Sequence, residues 1–290
     1  MTTPDNNMAM PGFSVKPSSS RIDGYAAFLQ TPAEVSPDTT TEEYAGEQAQ
    51  WNTKKTLDYI LPVIRECGAN RVLDVGCGTG TMVRTLLETG CDAYGADLAG
   101  LSRFWARQNH PADHFFIVDP NQFELPFYDG TLDFAFSLGV IEHVGTSDGH
   151  ADRLPNYHQL RKHWLREVFR TVKPGGHMLI GGPNRNFPID VAHGLDSRAS
   201  GLEKALSRFA GASIHKTWGE NFLWSYSDFP QYLDGLRYSM RALSVDRYVG
   251  YSRVPGLVRP LVEAYVRHLP KALLASGCNP WVMALVRKVE

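Results

Sequence analysis

The chain has no excess of either charge: 29 Lys and Arg stand against 31 Asp and Glu, for a formal net charge of −2. A nucleic-acid surface needs a basic stripe that neutralises several phosphates, so no nucleic-acid partner is expected. No window reaches the ~18 apolar residues of a membrane span. The N-terminus lacks a charged stretch followed by an apolar run, which leaves no plain secretory signal. The four cysteines, Cys67, Cys77, Cys91 and Cys278, include no C-x-x-C pair. Reduced structural thiols follow rather than disulfides or metal ligands, and with them a cytoplasmic location. Repeats and low-complexity tracts are missing too. What remains is an ordinary composition, 43% hydrophobic over 290 residues, ample for a buried core in one large or two small domains.

One stretch is unusual. Arg71-Val72-Leu73-Asp74-Val75 reads as an apolar strand ending near a carboxylate, and Gly76, Gly78 and Gly80 follow at every second position. Glycines there allow positive φ and let a ligand approach the backbone. A helix-like stretch, Met82 to Glu88, leads to a second strand, Asp92 to Ala96. Asp97 then falls about 17 residues past Gly80, near the roughly 20 expected for a ribose-binding acid in a βαβ unit. The loop lacks two things. A dinucleotide fingerprint would place its third glycine at position 81, where Thr81 stands. A phosphate loop would need Gly-Lys-Ser/Thr, whereas Asp74 puts a negative charge beside this one. A nucleoside with a cationic end and no phosphate fits both absences, and S-adenosylmethionine (SAM) is such a ligand.

Val72-Leu73-Asp74-Val75-Gly76-Cys77-Gly78-Thr79-Gly80 closely resembles the first motif of class I SAM-dependent methyltransferases. Asn121 to Phe127, Leu132 to Ser137, Glu142-His143-Val144 and Val168 to Gly176 resemble later motifs of that family, in family order. The resemblance covers roughly Leu57 to Asn184. It implies a Rossmann-like, doubly wound, mostly parallel α/β sheet with SAM as cofactor and S-adenosylhomocysteine as product. It says little about the acceptor.

The order of elements agrees with that implication. Strands are read at Arg71 to Val75, Asp92 to Ala96, Phe115 to Val118, Phe134 to Leu138 and His177 to Gly181, with helices between them, the pattern of a parallel sheet covered on both faces. Residues 1–41 read as a loosely ordered extension with one short helix around Tyr25 to Gln30, and 42–185 as the SAM-binding core, opening on helices Glu42 to Trp51 and Leu57 to Cys67. Residues 186–240 read as an acceptor-binding cap, with a helix capped by Ser227-Asp228. Residues 241–290 bring the last strands, Arg241 to Gly250 and Trp281 to Lys288, around an amphipathic helix from Val254 to Ala275. That helix is read first as core packing and second as a membrane-surface or lipid-acceptor element.

Ligands of such sheets sit beyond the carboxyl ends of the strands. Cofactor contacts are therefore expected from Asp74, Gly76, Cys77, Gly78, Gly80, Asp97, Leu98, Ser137 and Leu138. The adenine is assigned to Asp119 or Asn121 with Gln122 and Phe123. His143, just after the fourth strand, is the candidate general base, since histidine titrates nearest neutrality. Relatives with Glu-x-x-Glu-His at this place bind a divalent metal. Gly139 stands where the first of those glutamates would, so no metal is expected. His150, His158 and His163 read as a solvated face. Tyr44, Trp51, His193, Trp218, Trp224 and Tyr226 are candidate acceptor contacts. The reading is a SAM-dependent methyltransferase acting at oxygen or nitrogen of a small or medium-sized metabolite. A nicotinamide-dependent oxidoreductase and a non-catalytic SAM-binding scaffold are the rivals.

Overall fold

The computed structural model describes residues 49–98, 104–105, 108–119, 122–146, 152–190, 193–210, 212–217, 221–248, 254 and 256–290. Its centre is β1 (Arg71–Val75), whose Val72, Leu73, Asp74 and Val75 are all buried. Burial on both faces is what a central parallel strand requires. β2 (Asp92–Asp97) and β4 (Leu132–Leu138) pair with it in parallel. β3 (Phe115–Ile117) extends the sheet from β2, and β5 (Val172–Pro183) from β4, also in parallel. The seven strands run in the order β3-β2-β1-β4-β5-β9-β8. Here β8 is Tyr238–Ala242 and β9 is Trp281–Lys288, the latter antiparallel to both β5 and β8. The order reverses between β1 and β4, the switch point where open α/β sheets bind ligands.

Alternation along the strands divides the core in two. Leu73 and Val75 of β1, Met178 and Ile180 of β5, and Val282, Ala284 and Val286 of β9 face one side. There they meet Trp164, Leu165, Val168 and Phe169 of helix α3 (Tyr157–Thr171). Val72, Leu179, Met283 and Leu285 face the other side, with Leu61, Val63 and Ile64 of α1 (Leu61–Glu66) and Val83 and Leu86 of α2 (Thr81–Glu88). Period-2 burial on both faces is the sheet's main source of hydrophobic stabilisation.

Several boundaries differ from the sequence reading. The helix expected over Leu57 to Cys67 begins as a π-helical turn, Thr56–Ile60, before α1. Of the helix expected over Glu42 to Trp51, residues 42–48 lie outside the described residues, and 49–55 are helical. The extension 1–41 lies outside them as well. The strand expected over Arg241 to Gly250 is β8 at Tyr238–Ala242. Leu243, Val245 and Tyr248, beyond it, leave the sheet and pack on the side of α1 and α2. The helix expected over Val254 to Ala275 is only α6 (Arg259–Arg267). Pro260 is tolerated in its first turn, and Pro270 stops its continuation.

Residues 186–240 open with a two-stranded ribbon, β6 (Ile189–Asp190) with β7 (Ser213–Ile214), which brackets helix α4 (Gly201–Ala210). Their expected helix start at Ser227 moves to Ser225, whose side chain and that of Asp228 form a capping box. The short helix α5 (Phe229–Tyr232) follows. Glu203 fixes α4 to this ribbon by accepting hydrogen bonds from Ser200 N (2.8 Å), Ser200 Oγ (2.7 Å) and Lys216 N (3.0 Å). Burial acts to raise its pKa, but these bonds outweigh it and hold the group at about 2. A folded pKa below the unfolded value gives stability that is present above the ordinary carboxylate range and lost as pH falls towards about 2. Wild-type melting temperature should therefore fall more steeply between pH 5 and 3 than that of Glu203→Gln, and parallel slopes would refute this anchor. Among the described residues no helix is long and apolar enough to cross a membrane.

Candidate active site

The loop after β1 uses its three glycines for two purposes. Gly76, Gly78 and Gly80 all have positive φ, at 84°, 56° and 80°. A Cβ on Gly76 would lie 2.3 Å from Val140 Cγ2, and one on Gly80 would lie 2.7 Å from the Phe115 ring. A Cβ on Gly78 would meet nothing within 4 Å. Gly76 and Gly80 are thus required by the protein's own packing, while Gly78 borders open space that a ligand can fill.

Asp97 ends β2 and holds this loop. Its Oδ2 accepts from Gly78 N at 2.6 Å and its Oδ1 from Leu98 N at 2.7 Å. Trp105 Nε1 donates to Gly78 O at 2.9 Å, and His110 Nε2 lies 3.1 Å from Thr79 O. A carboxylate offers about four acceptor positions, so two of Asp97's remain for the donors of a ligand. Asp74 is buried beside it. Burial, and then the charge of Asp97, push the Asp74 carboxyl well above its usual range, and burial raises Asp97 despite its two N–H donors. Two buried carboxylates that disfavour ionisation together form a pocket that a cationic ligand rich in hydroxyl donors would relieve.

The other sequence candidates divide. Cys77 is buried with its sulfur against Gly95, where a Cβ would come within 2.8 Å of it, a packing role. The Ser137 hydroxyl donates to Val75 O at 2.5 Å, so it ties β4 to β1. Leu138 packs partly buried against the α1 and α2 side. Asp119 is half-buried, and its carbonyl accepts from Phe123 N at 2.7 Å. That turn gives Phe123 a φ of 33° and sets its ring 5.8 Å from Trp164. Gln122 is exposed, with its carbonyl 3.0 Å from His163 Nε2. Asn121, Tyr44, Trp218 and His150 lie outside the described residues. Trp51 is half-buried on the helical stretch 49–55. The Tyr226 hydroxyl is taken up by β9, accepting from Met283 N at 2.9 Å, which makes it a structural tie rather than an open contact. His163 is exposed, as read, whereas His158 is not simply solvated: its Nδ1 lies 2.9 Å from the Tyr232 hydroxyl.

Beyond β4 and β5 the chain brings together a group that no sequence spacing announced. Val140 seals against Gly76, which sets the turn 139–144 beside the glycine loop. Glu142 is fully buried, and neither carboxylate oxygen has a hydrogen-bond partner among the described residues. Burial pushes it up to about 7, with His193 and Arg161 pulling the other way. Tyr248 is raised by burial and then by the charges of Glu142 and Asp74, so one buried phenol senses both carboxylates. From the cap, His193 reaches back: its Nε2 lies 3.9 Å from Glu142 Oε1, and its ring 5.3 Å from that of His143. Trp224, also fully buried, stands on the far side, and a Cβ on Gly182 would lie 2.6 Å from Trp224 Nε1 and 2.8 Å from Glu142 Oε2. His143, His193 and Trp224 thus meet around Glu142.

This turn is fixed from behind by Arg161, which sequence reading missed. Its guanidinium is fully buried and donates to Glu142 O (2.9 Å), Val144 O (3.0 Å), Leu223 O (3.4 Å) and Phe222 O. An arginine four residues from Tyr157 on an otherwise amphipathic helix carries no signal of such a role, because its partners are backbone carbonyls from two distant segments.

Five parallel strands in the order 3-2-1-4-5, an antiparallel strand beside β5, a glycine loop at the switch point and an acid ending β2 define the class I methyltransferase architecture. Residues 73–180 match the family model of a methyltransferase domain. A probable S-adenosylmethionine-dependent methyltransferase of Mycolicibacterium smegmatis is 26% identical over 180 residues, 60% of this chain and 63% of that protein. Malonyl-(acyl-carrier protein) O-methyltransferase of Serratia marcescens is 35% identical over 110 residues, 38% of this chain and 37% of that protein. Glycine N-methyltransferase of Rattus norvegicus is 30% identical over 152 residues, 47% of this chain and 49% of that protein. The chain thus spans less than two thirds of the length of these relatives. Residues 73–180 are thus similar to the methyltransferase domain of SAM-dependent enzymes.

Proposed function

We propose that the chain transfers the sulfonium methyl of SAM to an oxygen or nitrogen of a small or medium-sized metabolite, such as a natural product, quinone, sugar or lipid-like acceptor, in the cytoplasm. The observation that carries this reading is the contact of Val140 with Gly76, which places Glu142 and His143 directly beside the glycine loop that opens at Gly78. SAM supplies an already activated methyl group, so the protein's task is alignment and exclusion of water, effects worth up to ~7–11 kcal/mol. Asp74 serves the cofactor's amino-acid end, Asp97 its ribose, and Asp119 with Gln122 and Phe123 its adenine. His143 meets the proton that the acceptor gives up. Residues 186–240 close over the acceptor. Relatives that methylate oxygen and nitrogen support the choice of atom.

Calorimetry with S-adenosylhomocysteine and with NAD tests the cofactor. Heat with the first and none with the second is expected, and equal binding would favour the oxidoreductase reading. Methyl-labelled SAM offered with a panel of hydroxyl and amine metabolites tests the transfer. Label in none of them would favour a SAM-binding scaffold. Asp97→Ala should weaken S-adenosylhomocysteine about 30-fold, the loss of hydrogen bonds worth on the order of 2 kcal/mol. An unchanged dissociation constant would reduce Asp97 to a clasp for the loop.

A further inference from the structure

We propose that helices α4 and α6, with the turns beside them, dock this chain on an anionic lipid surface. Helix α4 is built inside out. The residues it turns towards the protein are polar: Glu203 is buried and accepts from Ser200 N and Lys216 N, and the half-buried Ser207 Oγ accepts from Ile214 N at 2.7 Å. Those it turns outwards are apolar. Leu202, Leu206 and Phe209 stand at i, i+4 and i+7, one stripe of the helix, and they are 69%, 44% and 94% exposed.

Helix α6 carries a second row. Its Val266 is buried in the core on the side of α1 and α2, while Leu261 and Tyr265, at i and i+4 on one face, are exposed. Leu257 and Val258 in the turn before the helix, and Leu273 in the turn after it, are exposed as well. Among the described residues, eight of the thirteen large hydrophobic side chains left exposed lie in the two segments 198–216 and 257–273. Single exposed apolar side chains are normal on any protein, whereas rows of them mark a surface that something covers. The two segments hang from one stretch of chain. His215 N donates to Pro188 O at 2.8 Å, and Asn184 Nδ2 donates to Ser276 O at 2.9 Å and to Asn279 O at 2.8 Å. Both therefore stand just past the end of β5, at the pole of the sheet where the glycine loop lies.

Charge selects the occupant. The two segments hold seven Lys and Arg against two Glu, on a chain whose net charge is −2. One of those two acids, Glu203, faces inwards, whereas Arg198, Lys204, Arg208, Arg267 and Lys271 are all exposed. Apolar rows accompanied by cations suit helices lying in the plane of an anionic bilayer surface, with leucine and phenylalanine among the acyl chains and the cations at the headgroups. A second copy of this chain fits worse, because a two-fold contact would set these cations against themselves.

The full chain is sedimented with vesicles of phosphatidylcholine alone and with vesicles containing about one third phosphatidylglycerol. Binding to the mixed vesicles should be at least about tenfold tighter and should weaken as salt rises from about 0.1 M to 0.5 M. Leu206→Glu with Phe209→Glu, and separately Leu257→Glu with Leu261→Glu, should each weaken it about tenfold or more. Both pairs sit on exposed positions, so they should melt within about 2 °C of wild type. Lys204→Glu with Arg208→Glu should weaken binding to the mixed vesicles about tenfold and leave binding to phosphatidylcholine unchanged. Equal affinity of the wild type for both vesicles, affinity for neither, or binding unchanged in both glutamate pairs overturns the proposal. A wild-type dimer in analytical ultracentrifugation that Leu206→Glu with Phe209→Glu dissociates, without vesicle binding, gives this face to a second copy and overturns it too. These readouts need neither acceptor nor methyl transfer, so docking stands or falls apart from the proposed function.

Discussion

Arg161→Met should lower stability by about 3–5 kcal/mol, and with it the melting temperature by on the order of 10 °C. The four carbonyls that Arg161 satisfies belong to Glu142, Val144, Phe222 and Leu223. Methionine fills much the same volume and donates nothing, so those buried acceptors each bear a desolvation cost of about 1–3 kcal/mol, shared in part by relaxation. The charge matters as well. Burial lowers the Arg161 pKa, and the surrounding tyrosines with Asp228 and Glu142 pull it back up, so the neutral variant also leaves Glu142 without its nearby cation. Arg161→Lys should recover little, since an ammonium cannot fork to carbonyls of two segments. Thermal denaturation of the three proteins decides it: a shift of under about 2 °C in Arg161→Met would show that the guanidinium is not the pin between turn and cap.

His143→Ala should lower turnover about 10²-fold or more at saturating substrates while S-adenosylhomocysteine affinity barely changes. His143 sits in the turn that Val140 seals onto the glycine loop. Its ring lies 5.3 Å from that of His193. A histidine that only packed behind the cofactor would give the opposite split, with weaker S-adenosylhomocysteine binding or a lower melting temperature and near-normal turnover. Steady-state kinetics beside calorimetry on the same preparation separates the two.

The parts of this molecule that were legible in the sequence are those built from neighbours along the chain. The glycine loop, the strand before it and Asp97 form one βαβ unit whose hydrogen bonds close within about 30 residues, and Gly76, Gly78 and Gly80 adopt the positive φ read from their spacing. What could not be read depends on distant partners. Ser137 was read as a cofactor contact from its place near the end of β4, yet its hydroxyl is given to Val75 O on the adjacent strand. β8 was displaced because its Tyr238, Met240 and Ala242 bury only in part, whereas Leu243, Val245 and Tyr248 imitate a strand and serve the opposite core. The approach of His193 to Glu142 depends on how the ribbon folds back over the strand ends, and no local period encodes that.

The position of β9 has a consequence for how this protein is made. β9 lies inside the sheet, hydrogen-bonded along its length to β5 on one side and β8 on the other. It supplies Val282, Met283, Ala284, Leu285 and Val286 to both cores, and its Met283 backbone holds the Tyr226 hydroxyl. The ribosome delivers β5 roughly 100 residues before it delivers β9, a delay of about 5–20 s at ordinary elongation rates. Throughout that interval β5 presents an open edge and an uncovered apolar face, the features that invite pairing with other chains. The nascent chain therefore carries an open β5 edge until β9 emerges, and shortening it within residues 281–288 should send it to aggregates rather than to a smaller folded domain.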